Sequence, residues 1–82
     1  MNKQRLTSLK ELVNSLNEAN AGFDTIYTIE SHPFQRGCYH VDISTDATMF
    51  CEDLTAIVSW AAGNNVMCWA SAYHSYLTLH LQ

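Results

Sequence analysis

Positive charge is scarce in this chain. Lys3, Arg5, Lys10 and Arg36 are its four basic residues, against eight acidic ones, for a net charge of −4 over 82 residues. A protein that grips a phosphate backbone needs clustered Lys and Arg, so nucleic acid is not expected as the main partner. Eight carboxylates are also too few for a dense mimic of DNA charge. The three glycines stand apart from one another, which excludes a glycine-rich loop for cradling phosphate. Three cysteines cannot close a disulfide framework, and no Cys-x-x-Cys pair or zinc-finger spacing occurs. Apolar runs are short, so no membrane span is expected. The opening Met-Asn-Lys-Gln-Arg-Leu is polar and unlike a signal peptide, which makes the cytoplasm, with reduced thiols, the expected compartment.

What is present describes one globular domain over residues 1–82, with 48% hydrophobic and 15% charged residues. Leu6, Leu9, Val13 and Leu16 recur at helical spacing, with Thr7 or Ser8 as the expected cap and Asn20-Ala21-Gly22 as the stop. The β-branched and aromatic stretch 24–30 reads as a strand, and 32–37 as a turn. A second strand follows over 38–43, with Tyr39, Val41 and Ile43 on one face and Cys38, His40 and Asp42 on the other.

Ser44-Thr45-Asp46 is then expected to open a second helix, with Phe50, Leu54, Ile57, Val58 and Ala61 as its apolar stripe and Gly63-Asn64-Asn65 as its end. Residues 66–71 and 76–81 read as the strands of a hairpin, with 72–75 as the turn. The order α-β-β-α-β-β predicts an α+β fold: a four-stranded antiparallel sheet with two helices packed on one face. The halves 1–41 and 42–82 share that order, as a duplicated helix-plus-hairpin unit would.

The charges are unevenly spread. The chain up to Arg36 is neutral, and the net −4 comes from Asp42, Asp46, Glu52 and Asp53. From Leu54 to the end no Asp, Glu, Lys or Arg occurs in 29 residues, while Trp60, Trp69, Tyr73 and Tyr76 do. Depletion of charge with enrichment of Trp and Tyr is the mark of an interface centre. The sequence therefore predicts a small acidic, non-enzymatic protein-binding module, a regulator or inhibitor of antitoxin or phage anti-defence type. It would act by occluding a partner's surface or form a homodimer. Trp60, Trp69, Tyr73, Tyr76 and His80 are the expected contact residues, with Asp42, Glu52 and Asp53 as the rim. His74 and His80 bring positive charge to this hairpin in mild acid, so such an interface is expected to weaken there.

A different chemistry is also written in the strand 38–43. Cys38 and His40 lie on one side of it, about 6.5–7 Å apart, with Asp42 next along. His80 and Cys68 join them if the hairpins pair suitably. The alternative reading is thus a metal- or small-ligand-binding protein built on Cys38, His40 and His80. No resident cofactor is expected otherwise.

Overall fold

The computed structural model describes residues 1–23, 25–33, 39–46, 48–73 and 76–82. Helix α1 (Lys3–Ala19) buries Leu6, Leu9 and Val13, the stripe its sequence carries. It starts earlier than Thr7 or Ser8. Asn2 is the cap, its side-chain oxygen accepting the Arg5 N–H at 2.8 Å. Thr7 instead lies inside the helix and donates its hydroxyl back to the Lys3 carbonyl at 3.0 Å.

Strand β1 (Thr28–Pro33) begins later than the β-rich stretch suggests. The reason is Asn17 on α1. Its amide donates to the Tyr27 carbonyl at 3.0 Å and its oxygen accepts the Tyr27 N–H at 2.7 Å, so the side chain takes the place of a neighbouring strand. Strand β2 (Tyr39–Ser44) runs through Ser44, which pairs with Thr28, so 44–46 do not open the second helix.

That helix, α2 (Cys51–Gly63), starts after Phe50, and no side chain caps it. Its buried face is Asp53, Ile57 and Ala61, with Leu54 and Trp60 partly covered. Val58 lies off this face and is 44% exposed, and Phe50 precedes the helix, so the expected stripe is rotated. The end is a Schellman turn: Val66 N–H donates to Ala61 O at 2.9 Å, and Asn65 N–H to Ala62 O at 3.5 Å. Asn65 takes the left-handed conformation this requires, at φ 60°. Gly63 stays helical.

Strands β3 (Cys68–Tyr73) and β4 (Tyr76–Leu81) complete one antiparallel sheet in the order β1-β2-β4-β3. The two hairpins thus meet at β2 and β4, where Val41 opposes Leu81 and Ile43 opposes Leu79. These four residues are 0–1% exposed and join Leu6, Leu9, Val13, Ile57 and Ala61 in a single core. Both helices therefore pack on one face of the sheet, and the fold is the expected α+β arrangement. No helix among the described residues is long and apolar enough to cross a membrane.

Candidate functional site

Alternation along each strand sends every second residue to the face away from the helices. Since Val41, Ile43, Leu79 and Leu81 face the core, His40, Asp42 and Ser44 of β2 and Thr78 and His80 of β4 belong to the outer face. The β3–β4 register adds Trp69 opposite His80 and Ser71 opposite Thr78. Asp42 also opposes His80 across β2 and β4, so three neighbouring strands place Asp42, His80 and Trp69 in one row.

The side chains in and beside that row touch. Asp42 Oδ1 lies 2.8 Å from His80 Nδ1 and 3.2 Å from His40 Nε2. On the other side of the same ring, His80 Nε2 lies 2.7 Å from the Ser71 hydroxyl. Trp69 stacks on His80 with ring centroids 5.4 Å apart at 21°, and lies 5.6 Å from the His40 ring. All three of His40, Asp42 and His80 are half-buried, while Trp69 is 39% exposed. The result is a carboxylate held between two imidazoles, walled on one side by an indole.

Some of the expected site residues are brought together here and others are not. His40, Asp42, His80 and Trp69 converge. Cys38 and His74 lie outside the described residues. Cys68 does not join the cluster: it opposes Leu81 on the helix-covered face, where burial pushes its thiol pKa up. A thiol held protonated this way is a poor ligand and a poor nucleophile. Tyr73 opposes Tyr76 at the far end of the β3–β4 ladder.

Trp60 lies on α2, on the other side of the sheet from Trp69, and donates its indole N–H to Ser8 of α1 at 3.0 Å. It fastens one helix to the other, so the two tryptophans do not share a surface. Glu52 is exposed in the first turn of α2.

Asp53 is not a rim residue. It is 8% exposed, and its Oδ2 accepts from Asn20 at 2.8 Å and from the Tyr27 hydroxyl at 2.5 Å. Asn20 caps the end of α1, Tyr27 leads into β1 and Asp53 lies in the first turn of α2, so one oxygen ties three elements together. A surface cavity of about 310 Å³ opens beside it, lined by Asn20, Phe23, Phe50, Cys51, Glu52 and Asp53. Because the Asp53 oxygen is already held by two donors, this carboxylate serves the fold.

Burial and the Asp53 hydrogen bond push the Tyr27 pKa up from 10.0 to about 12. An unfolded tyrosine ionises near 10. The tyrosine's contribution is therefore intact below pH 10 and is lost as pH rises towards 12. Stability is expected to fall by about 2 kcal/mol across that window. Urea titrations at a series of alkaline pH values measure the slope, and Tyr27→Phe should flatten it.

Sequence reasoning missed Asn20 and Tyr27 as partners of Asp53, and Ser71 as a partner of His80. Nothing in the spacing of the first two points to Asp53. The Ser71 contact follows from turn length. A turn over 72–75 would set Trp69 opposite Thr78, whereas the ladder runs on to Tyr73 and Tyr76 and sets Trp69 opposite His80. Compared with known proteins, the chain matches no protein family and no curated sequence.

Proposed function

We propose that this chain is a non-enzymatic protein-binding module, a regulator or inhibitor that accepts an extended segment of another protein at the β3 edge and thereby covers it. The observation that carries this reading is the backbone of β3. Met67 and Gln82 exchange both N–H···O bonds, at 3.1 and 2.9 Å, which sets the phase of the ladder. Trp69, Ser71 and Tyr73 then turn their N–H and C=O groups towards β4. Those of Cys68, Ala70 and Ala72 point away from it, at the rim of the sheet.

Natural edges are blunted by charge or proline. The other edge, β1, carries Glu30 and ends on Pro33. β3 (Cys-Trp-Ala-Ser-Ala-Tyr) carries neither device. Ala70 and Ala72 are exposed, so an incoming strand meets no bulky side chain there. Met67, 66% exposed, and Trp69 supply apolar contacts beside the edge. Main-chain pairing of this kind supplies affinity, and the side chains next to it supply selectivity. The cytoplasmic setting expected from cysteine usage goes with this reading.

Ser71, His80 and Asp42 do stand in the contact order of a nucleophile, a base and an acid. Acyl transfer also needs N–H donors aimed at the developing oxyanion. The Ser71 N–H is directed into the ladder towards Thr78, which favours the non-enzymatic reading.

Ala70→Pro tests the proposal. It removes an N–H that points away from β4, so the ladder loses no bond and the melting temperature should drop by only a few degrees. Random peptides displayed on phage and selected on the wild-type chain should enrich sequences of alternating β-branched residues that fail to bind the proline variant. Enrichment of peptides that bind both forms equally would rule out the β3 edge. Light scattering on both forms adds the remaining outcome, since a dimer that only Ala70→Pro dissolves would assign the edge to a second copy.

A further inference from the structure

We propose that His40, Asp42 and His80 form a binding site for one divalent first-row transition cation of the zinc, cobalt and nickel class. The proposal does not depend on strand addition at β3.

The ligand geometry is the first support. One ligand atom from each residue lies within 4.8 Å of the other two. Two of the separations are 2.8 Å and 3.2 Å. A cation with about 2.0–2.2 Å bonds needs its ligand atoms about 3.2–3.6 Å apart, so small rotations of side chains already facing one another suffice. Two imidazoles and one carboxylate suit this class of ion, whereas calcium and magnesium favour all-oxygen sites. The strands that carry the ligands are central in the sheet and fixed by core residues on their reverse side, Val41 and Leu81 among them.

The residues around the ligands are the second support. Metal-bound imidazoles nearly always donate their remaining N–H to an outer partner. Ser71 is placed for that role, 2.7 Å from His80 Nε2. A His80 ring carrying its single proton on Nδ1 would donate to Asp42 and accept the Ser71 hydroxyl at Nε2. On binding, the cation takes the Nδ1 lone pair, the proton resides on Nε2, and the Ser71 oxygen turns from donor to acceptor. No net proton leaves the ring. Trp69 shields one side of the site from water by stacking on His80. Three protein ligands leave a coordination position for water.

This donor set differs from the one the sequence suggests. Asp42 takes the place of Cys38, and its position opposite His80 is a property of the β2–β4 register.

The test uses the purified full chain, stripped with chelator and titrated with NiCl2 or ZnCl2 by calorimetry and by tryptophan fluorescence. One cation per chain should bind saturably below about 100 µM. Nickel should quench Trp69, whose ring lies 5.4 Å from that of His80. His40→Gln and His80→Gln, checked for folding by circular dichroism, should each weaken binding at least tenfold, and Ser71→Ala about tenfold. Trp69→Phe should keep the calorimetric binding and lose most of the quench. Zinc should raise the melting temperature of the wild type and of Trp69→Phe, but not of the histidine variants. Absence of saturable binding, or binding unchanged in both histidine variants, would overturn the site.

Discussion

Replacing Asp53 with alanine is expected to lower the stability of the fold by about 3–4 kcal/mol. The carboxylate is 8% exposed, and its Oδ2 is the acceptor for both the Tyr27 hydroxyl and the Asn20 amide. Truncation leaves the Tyr27 hydroxyl without its acceptor and the Asn20 amide with only its 2.8 Å bond to the Leu16 carbonyl, and an unsatisfied buried donor costs about 1–3 kcal/mol. The variant also removes a negative charge from the first turn of α2, where the helix dipole favours one. Asp53→Asn, which keeps an acceptor oxygen, should cost about half as much. Urea unfolding monitored by circular dichroism gives the ranking. A loss below about 1 kcal/mol for the alanine variant would mean that these hydrogen bonds are replaced by water. A double-mutant cycle with Tyr27→Phe isolates the pairwise part, because both residues lie in one network.

Leu79→Ala is expected to cost a comparable amount, about 3–4 kcal/mol. Leu79 is 1% exposed on β4, opposite Ile43 on β2 and Ala70 on β3. Strands on both sides and helices above leave little room for the site to collapse, so the loss combines apolar transfer with a cavity. Leu77 lies on the same face of the same strand but is only half-buried. Leu77→Ala should therefore cost about 1 kcal/mol. Equal effects at the two positions would mean that the helices reach further over the hairpin than the burial pattern indicates. An 82-residue domain holds only about 4–12 kcal/mol in total, so either large variant should remove from about a quarter to nearly all of it.

These two sites differ in how far the sequence announces them. The alternation Leu77, Leu79, Leu81 marks a strand with one buried face by its period alone. Asp53 reads as a solvated rim carboxylate of the expected interface, because its partners are 33 and 26 residues away. Sequence spacing carries no trace of contacts that far apart.

The chain's local chemistry determined the element order, the two helices, the inward faces of β2 and β4, and the charge-free stretch after Asp53. Each is set by periodicity or by composition, which act over a few residues. Element starts were less legible, because a cap competes with longer-range contacts. Asn17 holds Tyr27 out of β1, and pairing of Ser44 with Thr28 and Thr78 keeps 44–46 out of α2. Only the tertiary structure decided which strand lies at the edge and which residues face each other across the ladders. The period-two alternation says which face a residue takes, but sliding a strand by two residues leaves every face unchanged. Register and strand order are therefore chosen by pairing between distant segments. That choice places Asp42 between His40 and His80, and puts β3, with its outward amides, at an edge of the sheet among the described residues.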